Sequence, residues 1–399
     1  MRILHTADLH LGRAFEGHSL VEDQQAILDQ IAEAIRDHTP DVLIIAGDIY
    51  DRATPPVSAV AQFNAFMRTV VSETKTAIVI IAGNHDQGDR IGAMATFADP
   101  SRALIRGPLQ AEEPALVLDA ADGPVAFSGL PFGYEYAARD VFGDNRIASP
   151  EDVLRAQVAS ARRAVPDNAR WVIAAHTFAT GADPSEIERP ISRTVGTIET
   201  VGTSVFADAD YVALGHLHRP QNVGGEHICY AGAPLAYGFD EAGQTKSMSL
   251  VTLAADGAVP VEFLPFRPLR SVRTLEGTLD ALLSGEAQPE TDDFVKVTLT
   301  DAHRPIDPMR RIRTRYPYAC GLSYSSAPAR RAAGASVRRS LAFNAPADVI
   351  NTFAEHVRGA PLTEAERAIV AATLRDIATD ADTPPATGSR LNANEGDAA

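Results

Sequence analysis

Five stretches of the chain end in groups that bind metals: Asp8-x-His10, Gly47-Asp48, Gly83-Asn84-His85-Asp86, the lone His176, and Gly215-His216-x-His218. Asp8, His10, Asp48, Asn84, His176, His216 and His218 make seven oxygen and imidazole donors, too many for one ion and about right for two. Asp48 is the natural bridge, because a carboxylate has two oxygens to share. Two divalent ions about 3.5–4 Å apart clamp both the attacking and the leaving oxygen of a phosphoryl displacement. Against only Asp8 and Asp48 they leave roughly two positive charges, which hydroxide and a phosphodiester anion would neutralise. In Asp8-x-His10 and His216-x-His218 the donors are two apart, so an extended segment would turn both side chains to one side. The four imidazoles disfavour magnesium and calcium and suit manganese, iron or zinc.

An apolar run precedes each donor: Ile3-Leu4-His5-Thr6-Ala7, Val42-Leu43-Ile44-Ile45-Ala46, Ile78-Val79-Ile80-Ile81-Ala82, Trp171-Val172-Ile173-Ala174-Ala175 and Tyr211-Val212-Ala213-Leu214. Runs without polar alternation predict strands buried on both faces. Ligands of open α/β sheets bind beyond the carboxyl ends of the strands, so five such strands side by side would bring all seven donors to one rim. Ile27, Leu28, Ile31, Ala34 and Ile35 recur at helical spacing between a candidate N-cap, Ser19, and the stop at Pro40. Val60, Phe63, Phe66, Met67 and Val70 do so after Pro56. Two βαβ passes thus define an α/β fold. From Leu104 to Phe132, short apolar runs broken by Gly, Pro and Asp predict a second sheet packed face to face on the first. Pro150 to Ala164 reads as a helix, and residues 177–208 as a loop-rich excursion over the site. Residues 228–234 and 248–253 supply closing strands.

Composition bounds the rest. At 399 residues the chain can build one large domain and one or two smaller ones. It is 45% hydrophobic and 22% charged, and no apolar run approaches the roughly 18 residues of a membrane helix. Met1-Arg2-Ile3 leads straight into the first strand, which predicts a cytoplasmic chain without a cleavable leader. Cys229 and Cys320 are isolated and read as free thiols. The net charge of −16 excludes a uniformly basic surface but not nucleic acid. Nine arginines lie between Arg304 and Arg339 against the single acid Asp307, enough to neutralise phosphates locally.

The domains read as a catalytic part over 1–265, a small α+β unit over 266–324, a linker over 325–345, a helical pair over 346–378 and a disordered tail over 379–399. Val349, Ile350, Phe353 and Val357 line one side of the first of the paired helices.

The order Asp-x-His, Gly-Asp-x-x-Asp, Gly-Asn-His-Asp, a lone His and Gly-His-x-His resembles the calcineurin-like metallophosphoesterase superfamily. The flanks Thr6-Ala7-Asp8-Leu9-His10-Leu11-Gly12 and Val212-Ala213-Leu214-Gly215-His216-Leu217-His218-Arg219-Pro220-Gln221 narrow the resemblance to SbcD-type DNA repair exonuclease subunits. It covers residues 1 to about 377, strongly to Gly238 and more loosely beyond.

It implies a two-sheet metallophosphoesterase sandwich flanked by helices, with a DNA-contacting cap and C-terminal helices that dock an SbcC-type ATPase. Two divalent ions, manganese by resemblance, would be held by Asp8, His10, Asp48 and His218 on one side and by Asp48, Asn84, His176 and His216 on the other. His85 would assist the leaving group, with Asp86 orienting it. Arg310, Arg311 and Arg313 of the cap would contact DNA. Asp51 stands where archaeal and eukaryotic relatives carry a second active-site histidine, and that role is left open, as is a homodimer. The function expected is metal-dependent cleavage of DNA in repair and recombination. A small-molecule phosphodiesterase and a non-catalytic docking subunit are the alternatives, and neither explains both the complete donor set and the basic C-terminal part.

Overall fold

The computed structural model describes residues 1–185, 200–285, 289–325, 347, 350–351, 353–355 and 360–381. By contacts the chain divides into two units, Met1–Ala327 and Pro328–Ala399.

The first unit opens with β1 (Arg2–Thr6), a small hairpin β2 (Ala14–Phe15) and β3 (His18–Ser19), and α1 (Val21–His38). It continues through β4 (Val42–Ala46), α2 (Val57–Glu73), β5 (Ala77–Ile81), α3 (Gly88–Ala93) and β6 (Ala103–Arg106). Next come β7 (Ala115–Ala120), β8 (Gly123–Leu130), α4 (Glu135–Phe142), α5 (Pro150–Arg162), β9 (Arg170–His176) and β10 (Tyr211–Gly215). The sandwich closes with β11 (Gln221–Asn222), β12 (Ile228–Tyr230), β13 (Ser247–Thr252) and β14 (Val261–Pro265).

Two six-stranded sheets result, ordered β14-β13-β1-β4-β5-β6 and β11-β12-β10-β9-β8-β7. The five donor strands therefore do not lie side by side: β1, β4 and β5 run parallel in the first sheet, β9 and β10 in the second. The segment expected to open the second sheet is also split, because β6 pairs with β5 and only β7 and β8 join β9. An unbroken apolar run tells that both faces are buried but not which sheet receives the strand.

The unbroken apolar runs are explained by a core on each face. Ile3, Val42, Ile44, Val79 and Ile81 meet Phe127, Val172, Ala174 and Ala213 between the sheets. The alternate residues Leu4, Leu43, Ile45 and Ile80 pack under Ile27, Ile31, Phe63 and Val70 of α1 and α2. On the far side, Trp171, Ile173, Val212 and Leu214 pack with Leu154 and Ala161 of α5. That helix begins at a capping box between Ser149 and Asp152. The N-cap of α1 is Leu20, not Ser19, whose hydroxyl instead accepts the Val21 N–H at 3.4 Å.

Beyond β14, a parallel sheet of β15 (Val272–Gly277), β16 (Phe294–Leu299) and β17 (Ala319–Tyr324) carries α6 (Leu279–Ser284) and α7 (Pro308–Arg313). Its own core comprises Leu275, Leu279, Val295, Val297, Ile312 and Tyr316. It rests on the sandwich through Phe294 against Phe15 and the Arg270–Asp23 ion pair. In the second unit α8 (Glu364–Ala381) starts at a reciprocal Thr363–Glu366 cap and runs three residues past the expected end at 378. Most of the expected linker, Val349, Val357 and residues 382–399 lie outside the described residues.

Candidate metal centre

All seven predicted donors meet at the carboxyl ends of strands from both sheets. Four of them are not on extended segments. Asp8, His10, Asp48 and His216 have φ of 53°, 44°, 48° and 111°, a left-handed region that costs non-glycine residues about 1–3 kcal/mol each and is found where surroundings enforce it. The alternation expected for Asp8-x-His10 and His216-x-His218 thus fails, and convergence comes from sharp turns after β1, β4 and β10. Those turns are tied across strands: Asp8 N–H donates to Gly47 O, and His10 N–H to Asp48 O. His176 Nδ1 donates across the sandwich to Ala46 O at 2.9 Å, and His216 N–H donates to Asp8 Oδ1 at 3.0 Å. Glycine before a donor is a packing requirement, since a Cβ on Gly47 would overlap His176 Nδ1 and one on Gly83 would overlap the Asp48 carboxylate.

Asp48 stands in the middle. Its Oδ1 accepts the His85 N–H at 2.8 Å, while Oδ2 lies 3.7 Å from His10 Nε2 and 3.6 Å from His176 Nε2. On one side His10 Nε2 and His218 Nε2 approach to 3.2 Å. On the other, Asn84 Oδ1 is 2.9 Å from His176 Nε2 and 3.1 Å from His216 Nδ1. Asp8, Asp48 and His176 offer ligand atoms within 4.8 Å of one another, and so do His10, Asp51 and His85. Burial lowers the pKa of His10, His176 and His216, which favours the neutral imidazole with a lone pair available. Buried carboxylates and neutral imidazoles with converging lone pairs fit divalent first-row ions.

Groups behind the donors aim them. His218 Nδ1 is 3.0 Å from Glu241 Oε1, and Glu241 also pairs with Lys246 at 2.7 Å. Burial alone would raise the Glu241 pKa, but the His218 hydrogen bond and the Lys246 charge pull it down to about 2. Glu241 escaped the sequence reading because the acidic pair in Phe239-Asp240-Glu241 carries no motif. Its one signal is Lys246, a lone cation at the head of β13. His85 Nδ1 bonds the Asp51 carbonyl at 2.7 Å, leaving Nε2 3.9 Å from Asp48 Oδ2.

Asp86, expected to orient His85, hydrogen-bonds backbone. Its carboxylate accepts the N–H groups of Ile49, Tyr50 and Gly83, bracing the turns after β4 and β5. Burial and then Asp48 raise its pKa to about 7.

In the cap, exposed Arg310 pairs with Asp307, Arg311 with Asp280, and Arg313 Nε donates to Ala319 O. In the second unit Ile350 and Phe353 are 37% and 66% exposed, so neither side chain is sequestered in a core there.

A two-sheet sandwich that gathers buried carboxylate, amide and imidazole donors at its rim defines a metal-dependent phosphoesterase class. The family model described as calcineurin-like phosphoesterase matches residues 1–220, over half of the sequence, and the chain belongs to that family, whose members use divalent metals. Residues 265–358 match a second model, SbcD_C, described as the type 5 capsule protein repressor C-terminal domain, which completes the domain order of an SbcD-type subunit.

Solved structures are more distant. A Staphylococcus aureus protein described provisionally as a 5'-nucleotidase is 14% identical with a TM-score of 0.38, over 66% of this chain and 54% of that one, so this chain spans about half its length. The protein TT1561 of Thermus thermophilus is 13% identical with a TM-score of 0.35, over 66% and 98%. GAP50, the anchor in the inner membrane complex of Plasmodium, is 9% identical with a TM-score of 0.36, over 82% and 98%. Among the described residues no helix is long and apolar enough to cross a membrane.

Proposed function

We propose that this chain is a two-metal DNA nuclease subunit that hydrolyses phosphodiester bonds in repair and recombination, loaded with manganese and working with an SbcC-type ATPase in the cytoplasm. The observation that carries the reading is Asp48 Oδ2, nearly equidistant from His10 Nε2 and His176 Nε2 at the junction of two donor sets. Asp8, His10, Asp48 and His218 would hold one ion, and Asp48, Asn84, His176 and His216 the other. When bound, such ions supply Lewis acidity to the phosphate oxygens and lower the pKa of water.

The protein's own part is positioning and proton transfer. His85 donates Nδ1–H to the Asp51 carbonyl, which directs Nε2 toward the centre, where the imidazolium form can protonate the departing sugar oxygen. Asp86 keeps the Asn84 and Asp48 turns in place. Residues 266–324 form the DNA-contacting cap, where Arg310 and Arg311 have the exposure to reach phosphate and Arg313 reaches it from a more anchored position. Residues 346–378 dock the ATPase, with exposed Ile350 and Phe353 supporting that role and Val349 and Val357 assigned to it from sequence alone. Free Cys229 and Cys320 agree with a reducing compartment.

The test is cleavage of end-labelled duplex DNA with manganese, with and without the ATPase. Metal-dependent cleavage stimulated by the ATPase supports the whole reading. Hydrolysis confined to small phosphodiesters would return the chain to the small-molecule alternative, and no hydrolysis at all would make it a docking subunit.

A further inference from the structure

The imidazoles that turn Nε2 toward the centre differ in what holds the opposite nitrogen. His218 Nδ1 has Glu241 at 3.0 Å, and His176 Nδ1 has the Ala46 carbonyl at 2.9 Å. Among the described residues His10 Nδ1 has no hydrogen-bond partner, and its side chain is only 1% exposed. The group facing it is the Asp51 carboxylate, with Oδ1 at 4.0 Å, about 1 Å beyond hydrogen-bond reach.

Asp51 is itself held in position. Arg13 Nη1 lies 3.3 Å from its Oδ1, and the Arg13 guanidinium sits 4.8 Å above the Tyr237 ring, which packs edge-on against His10. The Tyr237 hydroxyl donates to Leu9 O at 2.6 Å, next to His10 in the chain. The backbone of Asp51 already accepts from His85. One residue thus presents its carbonyl to His85 and its carboxylate to the unpartnered nitrogen of His10.

We infer that Asp51 is the positioning residue of His10: its carboxylate, 4.0 Å away in this structure, closes by about 1 Å to accept Nδ1–H, which fixes the tautomer whose Nε2 lone pair faces the metal centre. Carboxylate–histidine–metal relays orient the ring and strengthen the donor, and removing the outer carboxylate typically costs about 10–100-fold in metal affinity. Asp51 then acts through an imidazole and not on the substrate. The inference rests on the proposed role of His10 as a ligand.

The experiment is calorimetric manganese titration of the full chain as wild type, His10→Ala, Asp51→Ala and Asp51→Asn, with 15N spectra of the histidines of the metal-free proteins at alkaline pH. His10→Ala should lose one of the two ions and identifies the His10 signal. Asp51→Ala should weaken one ion about 10–100-fold and move the His10 signal away from the Nδ1–H tautomer. Asp51→Asn keeps an acceptor oxygen and should recover most of both readouts. Wild-type affinity and an unmoved tautomer in Asp51→Ala would overturn the inference while leaving the metal reading intact. Equal loss in the Ala and Asn variants with an unmoved tautomer would overturn it too, by making the carboxylate a direct ligand. If His10→Ala keeps both ions, the ligand assignment falls first and the inference with it.

Discussion

At the level of single residues, the groups proposed to hold metal are distinct from the group proposed to move protons. Asp48→Ala should strip both ions and abolish hydrolysis, because Oδ2 faces both donor sets. His85→Ala should keep both ions and lose on the order of 10²–10⁴ in turnover. Metal analysis of the two purified variants checks the division, and an equally metal-free His85 variant contradicts it. The candidate donors were legible because Asp, Asn and His at strand ends have few other uses in such numbers. What stood behind them was not, because Glu241 and Asp51 work through position in space, which sequence spacing does not encode. His5 is a third such case, buried between the sheets with Nδ1 2.9 Å from the Tyr211 hydroxyl. Burial lowers its pKa from 6.5 to about 3, so the unfolded chain binds this proton first as pH falls. His5 therefore costs the fold nothing above pH 6.5, and its penalty grows down to about pH 3, with a slope approaching 1.4 kcal/mol per pH unit. Chemical denaturation across that range should show a shallower acid loss in His5→Leu than in wild type, whereas parallel curves would mean that His5 charges as easily folded as unfolded.

At the level of elements, the apolar runs announced the strands, and their burial on both faces follows from helices outside and a second sheet inside. Which sheet took β9 and β10 was not legible, since inward and outward faces read alike when both are dry. The glycines of Gly47-Asp48 and Gly83-Asn84 acquire a meaning only once the sheets are packed, where Gly47 leaves room for His176. The positive φ angles at Asp8, His10, Asp48 and His216 had no sequence signature at all. In the cap, α7 fixes Ile312 in the core and leaves Arg310 and Arg311 outside. Replacing Arg310, Arg311 and Arg313 with alanine should weaken DNA binding for all sequences and flatten its salt dependence by up to about 0.9 per lost phosphate contact. Binding isotherms at several salt concentrations check this, and an unchanged slope would mean that these side chains serve only Asp307, Asp280 and Ala319.

For the whole molecule, the sandwich and cap share one unit, and the C-terminal residues belong to a second. Truncation after Ala345 should leave a chain with intact metal content and intact hydrolysis of a small phosphodiester, yet abolish co-purification with the SbcC-type ATPase. Ile350→Asp with Phe353→Asp should do the same at full length, because both side chains are exposed and apolar. A truncated chain that precipitates or loses its metals would place these helices in the core and end the docking assignment. The central claim is that two ions share Asp48, and electron paramagnetic resonance of the manganese-loaded protein tests it most directly. At full loading the account predicts two ions per chain with an exchange-coupled spectrum that disappears in Asp48→Ala. An uncoupled mononuclear spectrum, or a single ion per chain at saturation, would contradict it.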